Sequence, residues 1–139
     1  MSVKFSSLAA DTVKESEGDW QEIPDLPGVS LKVRSFNFPA YRVARDMLLQ
    51  RMARKHGRKP APADESEVEF GKLYAQHILL GWSGFDVEYT PDVAREALTN
   101  PAFRDLRRHV EYAASQIGAS EVEFLEDALG ESKPASAGK

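Results

Sequence analysis

The chain has 139 residues, of which 42% are hydrophobic and 29% charged, and its formal net charge is −4. This length suits one globular domain with a buried core and excludes two domains of full size. The chain contains no cysteine, which excludes a disulfide framework, thiolate metal ligands and a cysteine nucleophile. No apolar run approaches the roughly 20 residues of a membrane helix, and the N-terminus lacks the pattern of a secretory signal. We therefore expect a cytoplasmic protein.

The charges are segregated along the chain. Residues 29–60 hold nine Lys and Arg residues against Asp46 alone, a net charge of +8, whereas residues 1–28 carry −4 and residues 61–139 carry −8. Such a basic block has three interpretations: a nucleic-acid surface, a patch for an acidic protein partner, or a solvated helix face that compensates acidic neighbours within the fold. The acidity of the rest of the chain disfavours the first, because it would repel a polyanion.

The N-terminal part predicts an arm followed by a hairpin. Residues 1–18 are polar and weakly patterned, which indicates a flexible arm or a short edge strand. Residues 19–35 predict a β-hairpin, because a candidate strand at residues 19–23 is followed by dense turn chemistry at residues 24–28. The second strand shows strict alternation, with apolar residues at every other position: Val29, Leu31 and Val33.

The first predicted helix begins at Pro39, whose missing N–H fits the first helical turn. Its apolar residues recur at helical spacing, and Gly57 stands where a C-terminal cap would end the helix. The predicted core stripe consists of Tyr41, Ala44, Leu48 and Met52, with Met47 and Leu49 at its margins.

The second predicted helix is apolar nearly all round toward its end. Asp64 and Glu67 form a capping box at its start, and the helical pattern continues to Trp82. We expect Trp82 in the core, and Gly84 in the tight turn that closes the helix.

Hydroxyl or amide caps followed by proline open the next two predicted helices, first at Thr90 with Pro91 and then at Asn100 with Pro101. A second capping box predicts a last short helix. The two residues of this capping box are Ser120 and Glu123.

The predicted fold class is α+β and mainly α, with an N-terminal β-hairpin followed by about five helices in a compact single domain. This domain spans residues 19–130, of which residues 39–130 form the helical part. Residues 131–139 are rich in Ser, Ala, Gly and Lys and predict a disordered tail.

The sequence contains no constellation typical of catalysis, so we expect no catalytic residue, no cofactor and no metal. His56, His77 and His109 lack the close spacing of a helical metal site. The segment around Trp82 lacks the second glycine of a nucleophile elbow, and no phosphate-binding glycine loop occurs. The acidic residues near position 88 lack the spacing of a calcium loop and predict a solvated loop.

Residues 79–114 carry a series of motifs in a distinctive order. LLGWSGF is followed by a short connection with Tyr89, by TPDVAREALTNPAFRD, and by a helix that ends in YAA. The N-terminal half adds WQEIP and GVSLKVR between Trp20 and Arg34, and a helix with Tyr41. Through these motifs about residues 19–130 resemble the tail assembly chaperones of long-tailed, siphovirus-type bacteriophages and prophages.

The resemblance implies a non-enzymatic protein of the host bacterial cytoplasm that is absent from the finished virion. Such a chaperone binds the tape measure protein, keeps it soluble and helps recruit tail tube subunits. It implies homo-oligomers or several copies on the partner. The short apolar runs argue against a membrane partner, and the overall acidity disfavours nucleic acid. The alternative is a small head–tail structural adaptor or a DNA-associated protein that uses the basic segment at residues 42–59.

Two sets of residues are singled out. The candidate partner-binding residues lie on the first helix and are Arg42, Arg45, Arg51, Arg54 and Lys55. The residues with an expected structural role are Trp82, Gly84, Thr90, Pro91, Asn100 and Pro101.

Overall fold

The structure is a computed structural model that describes residues 1–126. It has the predicted class, α+β and mainly α. In chain order its elements are β1 (Ser2–Val3), a 3-10 helix (Phe5–Leu8), α1 (Thr12–Glu17), β2 (Asp19–Glu22), β3 (Ser30–Val33), α2 (Pro39–His56), α3 (Ala63–Leu73), a π-helical segment (Tyr74–Ile78), β4 (Leu79–Ser83), α4 (Pro91–Leu98), a 3-10 helix (Pro101–Phe103), α5 (Arg104–Gln116) and β5 (Phe124–Leu125).

The chain divides into two compact units. The larger is Thr12–Gly118, and the smaller combines Met1–Asp11 with the described residues from Ala119 to Glu126. These boundaries differ from the predicted division into an arm at residues 1–18 and a domain at residues 19–130. The predicted disordered tail at residues 131–139 lies outside the described residues.

The larger unit contains an antiparallel sheet with the strand order β2-β3-β4. The predicted hairpin forms its first two strands. Leu31 and Val33 on the central strand are completely buried. Their alternation with polar residues places them on the core face, as the period of a strand requires.

The helix predicted to end at Trp82 stops earlier. Regular α-helix ends at Leu73, a π-helical turn follows, and residues 79–83 become β4. Here β3 supplies the backbone partners of the new strand, and the Ile78 carbonyl accepts a hydrogen bond from the Arg34 N–H at 2.9 Å. A short apolar run fits a buried helix or a buried strand equally well. Here the strand forms because β3 offers unpaired backbone groups along the edge that does not face β2, and this tertiary contact overrides the local helical preference.

The core lies where α3, α4, α5 and the π-helical segment meet the sheet. Gly71 on α3 shows how closely these elements approach, since a Cβ atom there would overlap the carbonyl oxygen of Leu98. The buried apolar residues that form this core cluster are Ile23, Val29, Leu31, Val33, Tyr41, Tyr74, Ile78, Leu79, Ala94, Leu98, Val110, Ala113, Ala114 and Ile117. Leu48 on α2 is buried as well.

Two helix starts differ from the sequence prediction. A short helix, α1, occupies part of the predicted arm, and its buried Glu15 accepts a hydrogen bond from Asn37 Nδ2 at 3.0 Å. That bond fixes α1 against the chain after β3. The next difference concerns α3, which begins at Ala63, so Asp64 lies in the first turn instead of serving as the cap.

The smaller unit is built on two short strands, because β1 pairs antiparallel with β5. Beside this pair, the Lys4 N–H donates to the Glu123 carbonyl at 2.8 Å, and the Glu123 N–H donates to Ser7 Oγ at 2.8 Å. The helix predicted to begin at Ser120 is therefore wrong over residues 120–126. Backbone groups that it would need are bonded to the N-terminal segment instead.

Candidate partner-binding surfaces

The basic helix α2 lies at the periphery of the larger unit. Only Tyr41 and Leu48 of its 18 residues are buried. Met47 and Leu49, expected at the margins of the core stripe, are 59% and 48% exposed. The helix therefore carries apolar side chains on its solvent side as well as its core side.

Several predicted partner-binding residues of α2 form ion pairs within the fold. Arg51 lies 3.4 Å from the Glu69 carboxylate, and Lys55 lies 3.0 Å from that of Glu65. Arg45 pairs with its neighbour Asp46 at 3.2 Å. For Arg51 and Lys55, the structure thus matches the interpretation in which a basic helix compensates acidic neighbours.

These contacts lower the pKa values of the acidic partners on α3. A hydrogen bond from His56 and a second from Lys55 lower the pKa of Glu65 below its ordinary value. For Glu69, a hydrogen bond from Lys72 is the main cause of a lowered pKa, and Arg51 adds to it. Both carboxylates are consequently charged at neutral pH.

The solvent side of α2 presents a stripe of residues at helical spacing. Val43 and Met47 are 60% and 59% exposed, and Gln50 and Arg54 continue the same face. Arg42, beside this stripe, and Arg54 are both exposed and make no ion pair within residues 1–126. We call these five residues the α2 outer face; it combines apolar Val43 and Met47 with polar Gln50 and with free positive charge toward its two ends, and Asp46, which pairs with Arg45, lies beside it.

An apolar groove opens elsewhere on the larger unit, between the connection from β4 to α4, helix α4 and the start of α5. It encloses about 440 Å³. Four partly buried side chains form its floor: Leu26, Trp82, Ala97 and Leu106. We call it the α4/α5 groove.

Exposed apolar side chains surround the mouth of the α4/α5 groove. Phe85 and Val93 are each 37% exposed, Phe103 is 47% and Val87 is 50%. Phe103 lies one helical turn before the partly buried Leu106, and the other three show no periodicity that would mark them. Contiguous exposed apolar patches often mark interaction sites, so these four side chains make the groove a candidate binding site.

Trp82 fixes the connection that forms one wall of the groove. Its indole Nε1 donates a hydrogen bond to the Val87 carbonyl at 2.7 Å. The ring packs edge-on against Phe85 and Tyr89, with centroids 5.6 Å and 5.1 Å away. The prediction that Trp82 ends a buried helix is therefore wrong: it lies on β4, is partly buried and supports the groove.

Gly84 begins this connection and packs directly on the first hairpin turn. Its φ is 96°, and a Cβ atom would overlap the carbonyl oxygen of Gly28. Only glycine combines this backbone conformation with so close an approach. The turn predicted at Gly84 thus brings two loops together beside the groove.

The rim of the groove is acidic. Asp86 and Glu96 are exposed and make no ion pair within residues 1–126, whereas Asp105 is held by Arg108 at 2.6 Å. His109 also lines the groove, and no Lys or Arg is among the described residues that do so. An adjoining cleft of about 560 Å³ shares Asp105 and His109 and is more polar.

Capping residues set the helices that form the groove walls. Thr90 Oγ1 accepts a hydrogen bond from the Val93 N–H at 3.1 Å, and Pro91 opens α4. Asn100 Oδ1 accepts from the Ala102 N–H at 3.0 Å, and Pro101 opens the 3-10 turn that leads into α5. These local signals fix where α4 and the 3-10 turn before α5 begin.

The three histidines lie in different surroundings. His56 contacts Glu65 at 2.7 Å, and His77 is partly buried, so burial and then the nearby Arg34 charge lower its pKa. Within residues 1–126, no three His, Asp or Glu residues lie close enough to hold a metal ion. Every helix of this described part is too short or too polar to cross a bilayer.

The fold and these surfaces define the class: a small, mainly α protein with an acid-rimmed apolar groove and a basic helix face. Residues 36–131 match the model of a family described as YdaY prophage protein. This match covers well over half of the chain, and the protein therefore belongs to that family of prophage proteins. No match was found among curated proteins or among solved structures. Prophage membership agrees with the resemblance noted in the sequence, whereas the chaperone role stays a prediction.

Proposed function

We propose that this prophage protein is a tail assembly chaperone, a non-enzymatic protein that binds the tape measure protein and keeps it soluble. In the same role it helps recruit tail tube subunits in the bacterial cytoplasm. The prophage family and the motifs at residues 79–114 support this proposal. The observation that carries it is the α4/α5 groove, a preformed apolar site for a partner helix.

The side chains of the groove indicate which kind of partner helix it would bind. Trp82 and Leu106 on the floor, with Val87 and Val93 at the mouth, offer apolar contact to the apolar face of an amphipathic helix. The unpaired carboxylates of the rim attract positive charge beside that face. A client helix with an apolar stripe flanked by Lys or Arg fits this site, and a long helical tape measure protein offers such segments repeatedly.

Co-expression tests the proposal. The tape measure protein of the same prophage is produced alone, with the wild-type chain, and with the variant V87K/V93K, and its soluble fraction is measured. Wild type is expected to raise that fraction severalfold. The variant is expected to lose most of the gain, because two lysines enter the apolar mouth and repel a basic client.

The control is V43K/M47K, which likewise introduces two lysines at exposed apolar positions, here on the α2 outer face. It is expected to keep the wild-type effect. A groove variant as effective as wild type would contradict the proposed site. Failure of the control alone would place the client on α2.

The head–tail adaptor or DNA-associated alternative has its own readout. Binding of duplex DNA that weakens steeply with salt and is lost in R42E/R54E would favour it, because phosphate contacts release counterions. We expect no such binding from a chain with this acidic balance.

A further inference from the structure

The α2 outer face and the α4/α5 groove both carry apolar side chains, and the charges beside those side chains are of opposite sign. The outer face shows apolar Val43 and Met47 one helical turn apart, with free arginines toward its ends. The groove has an apolar mouth and free carboxylates at its rim. Each surface is thus the kind of partner that the other would select.

The two surfaces do not overlap. None of the side chains that line the groove belongs to α2, and α2 packs on α3 and the π-helical segment instead. One copy can therefore offer its helix face while its own groove stays open. A contact between unlike surfaces is heterologous, and it continues from copy to copy unless a rotation closes it into a ring.

We propose that a second copy of this chain docks the α2 outer face into the α4/α5 groove of the first. Val43 and Met47 enter the apolar mouth, and Arg42 and Arg54 approach the rim carboxylates of Asp86 and Glu96. The segregation of charge into a basic α2 and an acidic α4 region supplies the attraction and fixes the direction. The occupant is argued from this complementarity alone and does not depend on the proposed function.

The docking has a consequence for the client site. If the groove also binds a tape measure helix, the α2 of a neighbouring copy occupies the same site and competes with it. Self-association then shields the exposed apolar side chains of Phe85, Val87 and Phe103 until a client displaces the neighbour. Client binding would accordingly shorten the assemblies.

Sedimentation equilibrium over two orders of magnitude in protein concentration tests the docking. The wild-type mass is expected to rise with concentration and to fall again at high salt, because the attraction is largely between exposed charges. R42E/R54E and D86R/E96R are each expected to remain monomeric. All four positions are exposed, and circular dichroism verifies that the variants are folded.

Mixing the two variants gives the decisive result. The acidic α2 outer face of R42E/R54E fits the basic rim of the groove in D86R/E96R, and the unaltered basic outer face of the second variant fits the unaltered acidic rim of the first. The mixture is therefore expected to associate although neither variant does so alone. The control R95E/R104E, changed at exposed arginines that do not line the groove, should associate at least as strongly as wild type.

A wild type that stays monomeric, or a mixture that does, would overturn the docking. So would self-association that persists in R42E/R54E. These outcomes leave the chaperone proposal standing, since it is read from tape measure solubility with V87K/V93K, and failure of that experiment leaves the docking intact.

Discussion

Helix α3 contacts two neighbouring helices by different means. Toward α2 it presents the carboxylates of Glu65 and Glu69, which pair with basic side chains. Toward α4 it presents Gly71, which lets the backbone at Leu98 approach directly. One contact depends on charge at the surface, and the other on the absence of a side chain in the interior.

The two contacts differ in how much they contribute to the stability of the fold. Exposed ion pairs contribute roughly 0–1 kcal/mol each, so α2 depends mainly on its two buried residues, Tyr41 and Leu48. The contact between α3 and α4 allows no added atom. The α4/α5 groove therefore borders the closely packed part of the unit, and the α2 outer face lies at its periphery.

The largest expected effect tests the interior contact. G71A should lower the free energy of unfolding by about 3 kcal/mol, because the new methyl group meets backbone that cannot move aside cheaply. Urea unfolding measures the change. The control is G81A, whose Cβ would make ordinary contact 3.7 Å from Lys32 Cβ and should change stability by less than about 0.5 kcal/mol. Equal stability of the two variants would refute the contact.

A smaller effect is expected at the groove. W82A should cost about 2 kcal/mol, less than a fully buried tryptophan, because the ring is partly buried and supports Phe85 and Tyr89. Thermal and urea unfolding measure it. Trp20 on β2 is 50% exposed, so W20A should cost less than about 1 kcal/mol. If W82A were as stable as W20A, the indole would contribute little to the wall of the groove.

The smallest effect concerns the charged contact and depends on pH. The lowered pKa values of Glu65 and Glu69 mean that their contribution to stability is present above about pH 4.5, their ordinary value. It is lost as the pH falls below that value, because the unfolded state binds the protons first. E65Q/E69Q should flatten the acid side of the stability profile, measured by urea unfolding at several pH values.

The matched control for the pH experiment is E88Q/D92N. Both positions are exposed and make no ion pair within residues 1–126. Its profile should follow that of wild type. A steep acid limb that survives in E65Q/E69Q would assign the pH dependence to other groups.

Local signals predicted the parts of the fold that local physics controls. The alternation at Leu31 and Val33 predicted the central strand, and cap-plus-proline pairs at Thr90 and Asn100 predicted the starts of α4 and of the turn before α5. A strand face and a helix cap involve neighbours within a few residues, so the sequence contains the information directly.

The sequence predicts the basic surface of α2 in part, and it does not predict the groove. Helical spacing placed basic side chains on the exposed arc of α2, but pairing of Arg51 and Lys55 with α3 depends on a contact across the α2–α3 turn. The groove was missed, because its walls come from separate segments. The sequence predicts a helix at Trp82, because nothing near this residue in the chain reveals that one edge of β3 is available for pairing.

The sequence by itself determined the charge segregation, the fold class, the hairpin and the motifs that resemble a phage tail chaperone. Only the tertiary structure decided that residues 79–83 extend the sheet, that the segment around Glu123 pairs with the N-terminus, and that Met47 faces solvent. Each of these depends on partners distant in the chain. Backbone hydrogen bonds and apolar burial are satisfied by whichever neighbour the fold brings close.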